Sequence, residues 1–531
     1  MPLIPNPERR LGGIDFILRR TAEIHPDRIA IDDRLHGVAL TYEELRARSS
    51  RLARALIARG VGKGDPVAYA FFNEHASLEI LFACCMAGAV AVPLNNRLAP
   101  AEARDYLARQ NVRTFVGNAA LAGLVDGVAL DTLILRGSGL PAGALDYEAV
   151  LGGQSGDALP PQASWEDCYM MAMTGGTTGG PKAAVWSHGG CLMDTLAVLT
   201  HMEIKRGTAS LCLAPTYHAA GLGWSVLPVL WQGGRLIMPP TPAFNARFVL
   251  DTLRNEDIRY LMIVPAMIAP LADAWDGVPV TGLKSMCVAS APTPEPQRRR
   301  LQSMFPEAGI IAGYGMTETF SMCLQTMGEF LELPASVGEP SAVTRVRIVD
   351  EEGKPVPRGA VGHILGRTMA MSLYYNNDPQ NTAGTFRTIA GDPEGLEWMW
   401  TGDVGFMDAE GRVTIVDRAK DIIISGGENV PSVEVETVLL SHPAVKECAV
   451  VGKPDERWGE RVVAVLVKQA GAPDDATLAA EAAALCRDRL AGYKVPKQFG
   501  FVDALPRSPF GKVLKRDLVK MDLALVEAGR K

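Results

Sequence analysis

Between Met173 and His188 the chain reads MTGGTTGGPKAAVWSH, which crowds threonines, glycines, a proline and a lysine into one loop. Glycines let backbone N–H groups turn toward an anion, threonine hydroxyls add donors, and Lys182 supplies charge. That combination suits a polyphosphate. The lysine-tipped loop of Walker NTPases needs Gly-Lys-Ser/Thr, whereas here Pro181 precedes Lys182 and Ala183 follows it. The hydroxyl that would hold magnesium in that motif is missing, which argues against a Walker enzyme.

Further stretches rich in chemistry follow in order. They are GYGMTET (Gly313 to Thr319), WTGD (Trp400 to Asp403), DRAKDIIISGGENV (Asp417 to Val430) and LPRSPFGKVLK (Leu505 to Lys515). Taken with the threonine-glycine loop, they resemble the AMP-forming adenylating superfamily of acyl-CoA synthetases, amino-acid adenylation domains and luciferases. The resemblance runs from the helix at Thr41 to Lys515. It departs from the family pattern at Gly175, where serine is common, and at Ala183, where glycine is common. After GGEN the segment Val430 to Glu434 also lacks an aromatic-proline pair frequent in aryl-CoA ligases, which bears on the coenzyme A arm.

The resemblance implies a two-step ligase. A carboxylate attacks the α-phosphate of ATP, pyrophosphate leaves, and a nucleophile then displaces AMP from the acyl adenylate. Two anions must meet, so positive charge and pre-aimed donors are required. By resemblance, Thr174, Gly176, Thr177, Thr178, Gly179 and Lys182 hold the departing phosphates. Glu318 matches the family's Mg2+ ligand, a hard oxygen donor for a hard cation, and Thr317 sits beside the α-phosphate. Tyr314 stacks on adenine, Asp403 takes the ribose hydroxyls and Arg418 supports the same sugar. Lys512 bridges the attacking carboxylate and the α-phosphate. Lys420 is the hinge between a large domain, residues 1–419, and a small mobile one, residues 420–531. In the second state Gly426 and Gly427 line the thiol's path. Arg412 and the run Arg298 to Arg300 read as solvated faces.

APTYHAAGLGWS (Ala214 to Ser225) matches the segment that abuts the carboxylate end of the acyl pocket, with His218 as its gate. Tyr217, Trp224 and Met316 offer apolar walls there, and Gly221, Gly223, Gly313 and Gly315 leave room. No Asp or Glu lies between Ile204 and Leu250, where amino-acid adenylation domains place a partner for the substrate's ammonium. A buried unpaired charge is costly, so an apolar aliphatic, alicyclic or aryl acid is expected. Coenzyme A is the expected acceptor; an amino acid or other amine, joined as an amide, is the alternative.

These groups need elements to carry them. LTYEELRARSSRLARALIARGVGKGD has a helical period, with Thr41 and Glu44 spaced as a capping box and Gly60 at its stop. PVAYAFF and AVAVPLN read as buried strands flanking a helix around Leu78. Strand and helix alternate to about residue 310, the pattern of parallel sheets with covered faces. Near the end the strands VKECAVVGKP, RVVAVLV and FGFVDALP surround an Ala-rich helix, Asp475 to Leu490. The expected fold is α/β: a large N-terminal domain of stacked α/β subdomains with parallel-rich sheets, plus a small C-terminal α+β domain.

A chain of 531 residues exceeds one core. Its apolar fraction of 47% fits a globular protein. A formal net charge of -7 disfavours nucleic acid and anionic membranes as partners. The longest apolar run, Ile80 to Leu94, carries Gly88 and Pro93 and is too short to span a bilayer. The opening MPLIPNPERRLGG has no signal-type segment, and nine scattered cysteines with no C-x-x-C pair suggest reduced thiols and no zinc. A cytoplasmic location is expected, with a homodimer left open.

Overall fold

The computed structural model describes residues 12–174, 181–202, 204–389, 392–508 and 512–527. The expected helix forms as Tyr42–Ile57. The Thr41 hydroxyl accepts from the Glu44 amide, and the Glu44 carboxylate accepts from the Thr41 amide. The chain then turns through Gly60 at φ 89°, a left-handed value that costs glycine little. Every residue of His75–Ala87 is buried, as befits a helix apolar on all faces. It ends at Gly88 and leads into the strand Val90–Pro93.

Two sheets occupy the N-terminal part. One has seven strands, running from Leu145–Asp146 through Thr132–Arg136, Thr114–Asn118, Pro66–Ala70, Val90–Pro93 and Cys168–Thr174 to Lys182–Ser187. Its neighbours are parallel except the last pair, whose antiparallel register sets Thr174 opposite Lys182. The other sheet has fourteen strands. Ile29–Asp33, Leu236–Met238, Ala209–Leu211, Ile258–Ile263, Ser285–Ala289 and Gly309–Met316 form its parallel half. From Phe320 onward its pairings are antiparallel. Apart from the edge pairs Ile29–Asp33 with Val38–Thr41 and Cys168–Thr174 with Lys182–Ser187, the parallel expectation holds to the strand at 309, where crossover helices stop and antiparallel connections take over.

Past Arg418 the chain leaves this sheet, and Ile423–Ser425 begins a separate six-stranded one. Val445–Asp455 and Gly459–Lys468 pair along their length, with Gln498–Phe501 parallel to the second. Leu478, Ala479, Ala482, Ala483 and Cys486 of the helix Asp475–Arg489 close a core of their own against it. This is the large domain and small α+β domain expected. All nine cysteines are free thiols, with Cys168 and Cys448 half-buried and the others buried. Among the described residues no helix is long and apolar enough to cross a membrane.

Of the arginine run 298–300, Arg299 and Arg300 are exposed as expected, whereas Arg298 departs from the expected solvated face. Arg298 is buried, with Nε donating to the Thr293 carbonyl at 2.7 Å and Nη1 to the Phe330 carbonyl at 2.9 Å. Its guanidinium lies over the Phe330 ring. Carbonyl acceptors and a ring face replace water there, although burial still lowers its pKa to about 10.

Candidate active site

The strand Gly309–Met316 turns back on itself into Phe320–Leu324, and the bend between them carries Thr317 and Glu318. Gly315 makes the bend close: a Cβ there would stand 1.7 Å from the Phe320 carbonyl oxygen. Phe320 itself adopts φ 54°. The bend is held from outside by the Trp186 indole, which donates to the Thr317 carbonyl at 2.8 Å, and by the Ser372 amide, which donates to the Glu318 carbonyl at 2.7 Å.

Glu318 is buried, and the Tyr375 hydroxyl donates to its Oε1 at 2.5 Å. Oε2 takes no hydrogen bond from the described residues, so one oxygen is left for a hard cation. Tyr375 pairs with Ala184 beside the strand Lys182–Ser187, and the Lys182 ammonium lies 4.8 Å from its ring centroid. One phenol thus joins two residues that the sequence could only place in separate motifs. Thr174 is buried at the end of its strand. Gly176, Thr177, Thr178 and Gly179 lie outside the described residues.

A second cluster stands on the antiparallel half of the large sheet. Asp403 and Arg418 are directly opposite across neighbouring strands. Arg418 Nε donates to Asp403 Oδ1 at 2.9 Å, and the Tyr314 hydroxyl donates to Oδ2 at 2.6 Å. Each carboxylate oxygen keeps a second lone pair for another donor. The Tyr314 ring packs among Met322, Cys323, Ile348, Ile364 and Val413, so its direction is fixed by the core.

Lys512 comes to both clusters from the end of the chain. It is exposed, yet surrounding groups strip part of its hydration. Lost hydration, with Arg418 and Lys420 close by, lowers its pKa, while Glu318 and Asp403 pull it back up. His218 is a neighbour too, and its imidazole is lowered to about 4 by burial and by the Lys512 charge. His218 is therefore neutral near pH 7. Trp224, six residues on in the same segment, lies against β-strand residue Gly313, where a Cβ would stand 2.4 Å from the indole ring.

The junction after Arg418 is a short turn closed by the Asp421 and Ile422 amides donating to the Arg418 carbonyl, with Lys420 exposed in it. Lys420 loses some hydration too and has a lowered pKa. Across the junction, buried Asp417 Oδ2 accepts from the Ser432 hydroxyl at 2.6 Å and from the Ser432 amide at 2.5 Å, at the start of the helix Ser432–Leu439. Gly426 and Gly427 form a hairpin turn with φ 64° and 85°, and they do not touch the Lys512 cluster by any hydrogen bond among the described residues.

Sequence reading missed Tyr375, Trp186 and Asp417. Asp417 was within the quoted DRAKD stretch, but its partner lies beyond the hairpin. Tyr375 stands in SLYYNND, an aromatic pair that no quoted motif contains.

The geometry agrees with the comparisons. Residues 18–375 match the model of the AMP-binding enzyme family and residues 434–512 that of the AMP-binding enzyme C-terminal domain. The chain belongs to this family, the AMP-forming superfamily that includes the acyl-CoA synthetases. It is similar to a feruloyl-CoA synthase of an Amycolatopsis species, 37% identical over 506 residues, covering 94% of this chain and 97% of that one. Among solved structures it is similar to the anthranilate CoA ligase AuaEII in complex with anthranoyl-AMP. That likeness has a TM-score of 0.87 and 25% identity, over 96% of this chain and 97% of the other. O-succinylbenzoate coenzyme A synthetase from Bacillus subtilis, in complex with ATP and magnesium ion, matches at a TM-score of 0.81 with 26% identity, over 94% and 98%.

Proposed function

We propose that this chain is an acyl-CoA synthetase that activates an apolar, ring-bearing carboxylic acid with ATP. A carboxylate oxygen bonds to the α-phosphorus as the bond to the β-phosphate oxygen breaks, giving acyl adenylate and pyrophosphate. The thiol of coenzyme A then attacks the acyl carbon; a C–S bond forms, AMP leaves, and the thiol proton passes to solvent. One observation carries this reading: Lys512, from the far end of the chain, shares an electrostatic neighbourhood with Glu318, Asp403, Arg418 and His218. The named relatives, all coenzyme A ligases of aryl acids, support the substrate class and the acceptor.

In this reading Lys512 stabilises the charge shared by carboxylate and α-phosphate, and neutral His218 orders the carboxylate end without adding a competing charge. Asp403, held by Tyr314 and Arg418, accepts the ribose hydroxyls. Thr174, Lys182 and the loop between them receive the β- and γ-phosphates. Glu318 would hold Mg2+, which neutralises phosphate charge as the leaving group departs. Residues 1–419 and 420–531 act as the two moving units, turning at Lys420.

Pyrophosphate release across a panel of carboxylic acids, followed by competition between coenzyme A and amines, tests the reading. Thioester formation is expected; a stable amide with no coenzyme A consumed would overturn it. Lys512→Ala should slow adenylation by roughly two to three orders of magnitude, about 3–4 kcal/mol. Near-normal pyrophosphate release would remove Lys512 from the chemistry.

A further inference from the structure

The segment from Ile204 to Leu250 contains no acid, yet a carboxylate reaches its inner face from elsewhere. The helix His188–His201 brings Asp194 against the turn Gly221–Val226, and Asp194 is 1% exposed. Its Oδ1 accepts the Ser321 amide at 3.1 Å, which ties the helix to the strand just past the Glu318 bend. Its Oδ2 has no hydrogen-bond partner.

A buried carboxylate oxygen without a donor is an expensive thing to keep. The turn that faces it presents no side chain there. The residue facing Oδ2 is Gly223, where even a Cβ would stand 3.0 Å from that oxygen and 3.6 Å from the Phe320 ring. Gly223 lies between His218, which neighbours Lys512, and Trp224, whose indole lies on Gly313. The surrounding surfaces are aromatic: Trp224, Phe320, and Trp186, whose ring centroid lies 4.1 Å from that of Phe320 at an interplanar angle of 44°. Burial raises the Asp194 pKa to about 7 against the pull of the Ser321 hydroxyl and amide, so the carboxylate is ionised in mildly alkaline solution.

We propose that Asp194 is a specificity-determining residue whose free Oδ2 accepts a hydrogen bond from a hydroxyl or amino group on the ring of the acid. The inference rests on the reading of His218 to Trp224 as the acyl wall, and it narrows the substrate class to ring acids carrying a hydrogen-bond donor. A site built to pair a substrate donor rejects the analogue lacking it, because its own polar group is then left unpaired. A purely structural Asp194 would need only the Ser321 contact.

Replacement by asparagine separates the two roles. In Asp194→Asn the amide oxygen stays on the Ser321 N–H, so an NH2 donor takes the place of the free acceptor. Initial rates of pyrophosphate release at pH 8.5 would be compared for benzoates and cinnamates bearing H, OH, NH2 or OCH3 at each ring position. The wild-type protein should favour at least one hydroxy or amino acid over its methoxy counterpart by tenfold or more in kcat/KM. Asp194→Asn should lower that ratio at least tenfold, toward or past unity. Gly223→Ala provides a second arm that leaves the Ser321 bond alone: its methyl stands in front of Oδ2 and should also erode the ratio. A wild-type protein that does not distinguish OH from OCH3, or variants that both keep the wild-type ratio, would overturn the proposal. Wild-type protein that releases no pyrophosphate with any acid would instead overturn the ligase reading, and this inference with it.

Discussion

Tyr375 donates its hydroxyl proton to Glu318 and turns its ring face to Lys182, so a single side chain touches both proposed phosphate-side charges. A hydrogen bond to a charged group contributes about 1.5–3 kcal/mol. Tyr375→Phe keeps the ring and its packing on Phe386 but frees Glu318 to swing. Adenylation should fall roughly ten- to a hundredfold, with more magnesium needed for half-maximal pyrophosphate release. Unchanged magnesium dependence would reduce Tyr375 to packing. The residues that declared themselves in the sequence were those whose meaning is local. Asp403 sits in TGD and Lys512 in FGK, short motifs that carry the family resemblance. Tyr375 acts on Glu318 from 57 positions away and Asp194 on Ser321 from 127. Such pairings are set by sheet register and helix packing, which one sequence does not print.

At the scale of elements, the strand-bend-strand from Gly309 to Leu324 carries Thr317 and Glu318, the proposed α-phosphate and Mg2+ groups, and Gly315 is what lets it close. Its missing side chain faces backbone rather than a flexible group, so a methyl cannot be accommodated by a rotamer change. Gly315→Ala should cost about 1–3 kcal/mol as overpacking, seen as a lower melting temperature, and should slow pyrophosphate release by displacing Thr317 and Glu318. Gly384→Ala, in an exposed helix with nothing within 4 Å of the added Cβ, should leave both measurements unmoved. If the two variants behave alike, the close approach at Gly315 is unimportant. The capped helix at Thr41 and the parallel strands before residue 310 were legible because capping spacing and apolar runs report them directly. The antiparallel half was not, because its short strands such as Phe386–Thr388 carry no distinctive period.

For the molecule as a whole, acid should loosen the fold through buried imidazoles. Burial lowers His188 and His218 from the ordinary 6.5 to about 4. Between those values the unfolded chain binds protons that the folded chain does not, so stability is complete above pH 6.5 and drains away as pH falls toward 4. The melting temperature should decline from pH 7 to pH 5, and His188→Asn should flatten that decline; an unaltered slope would exclude His188 as a source. The proposed turning of the small domain is a second property of the whole. Lys420→Pro fixes φ at the turn, so thioester formation should slow at least tenfold more than adenylation. Equal slowing of both steps would count against Lys420 as the hinge.

The Asp417–Ser432 contact gives that motion a fulcrum. It ties the strand before the turn to the first residue of the helix after it. Any rotation that preserves the contact leaves Ser432 nearly still, and displacement must grow with distance from it. Turning as proposed, the small domain would work as a lever about this contact, and the groups farthest from it would travel furthest while the joint hardly stirs.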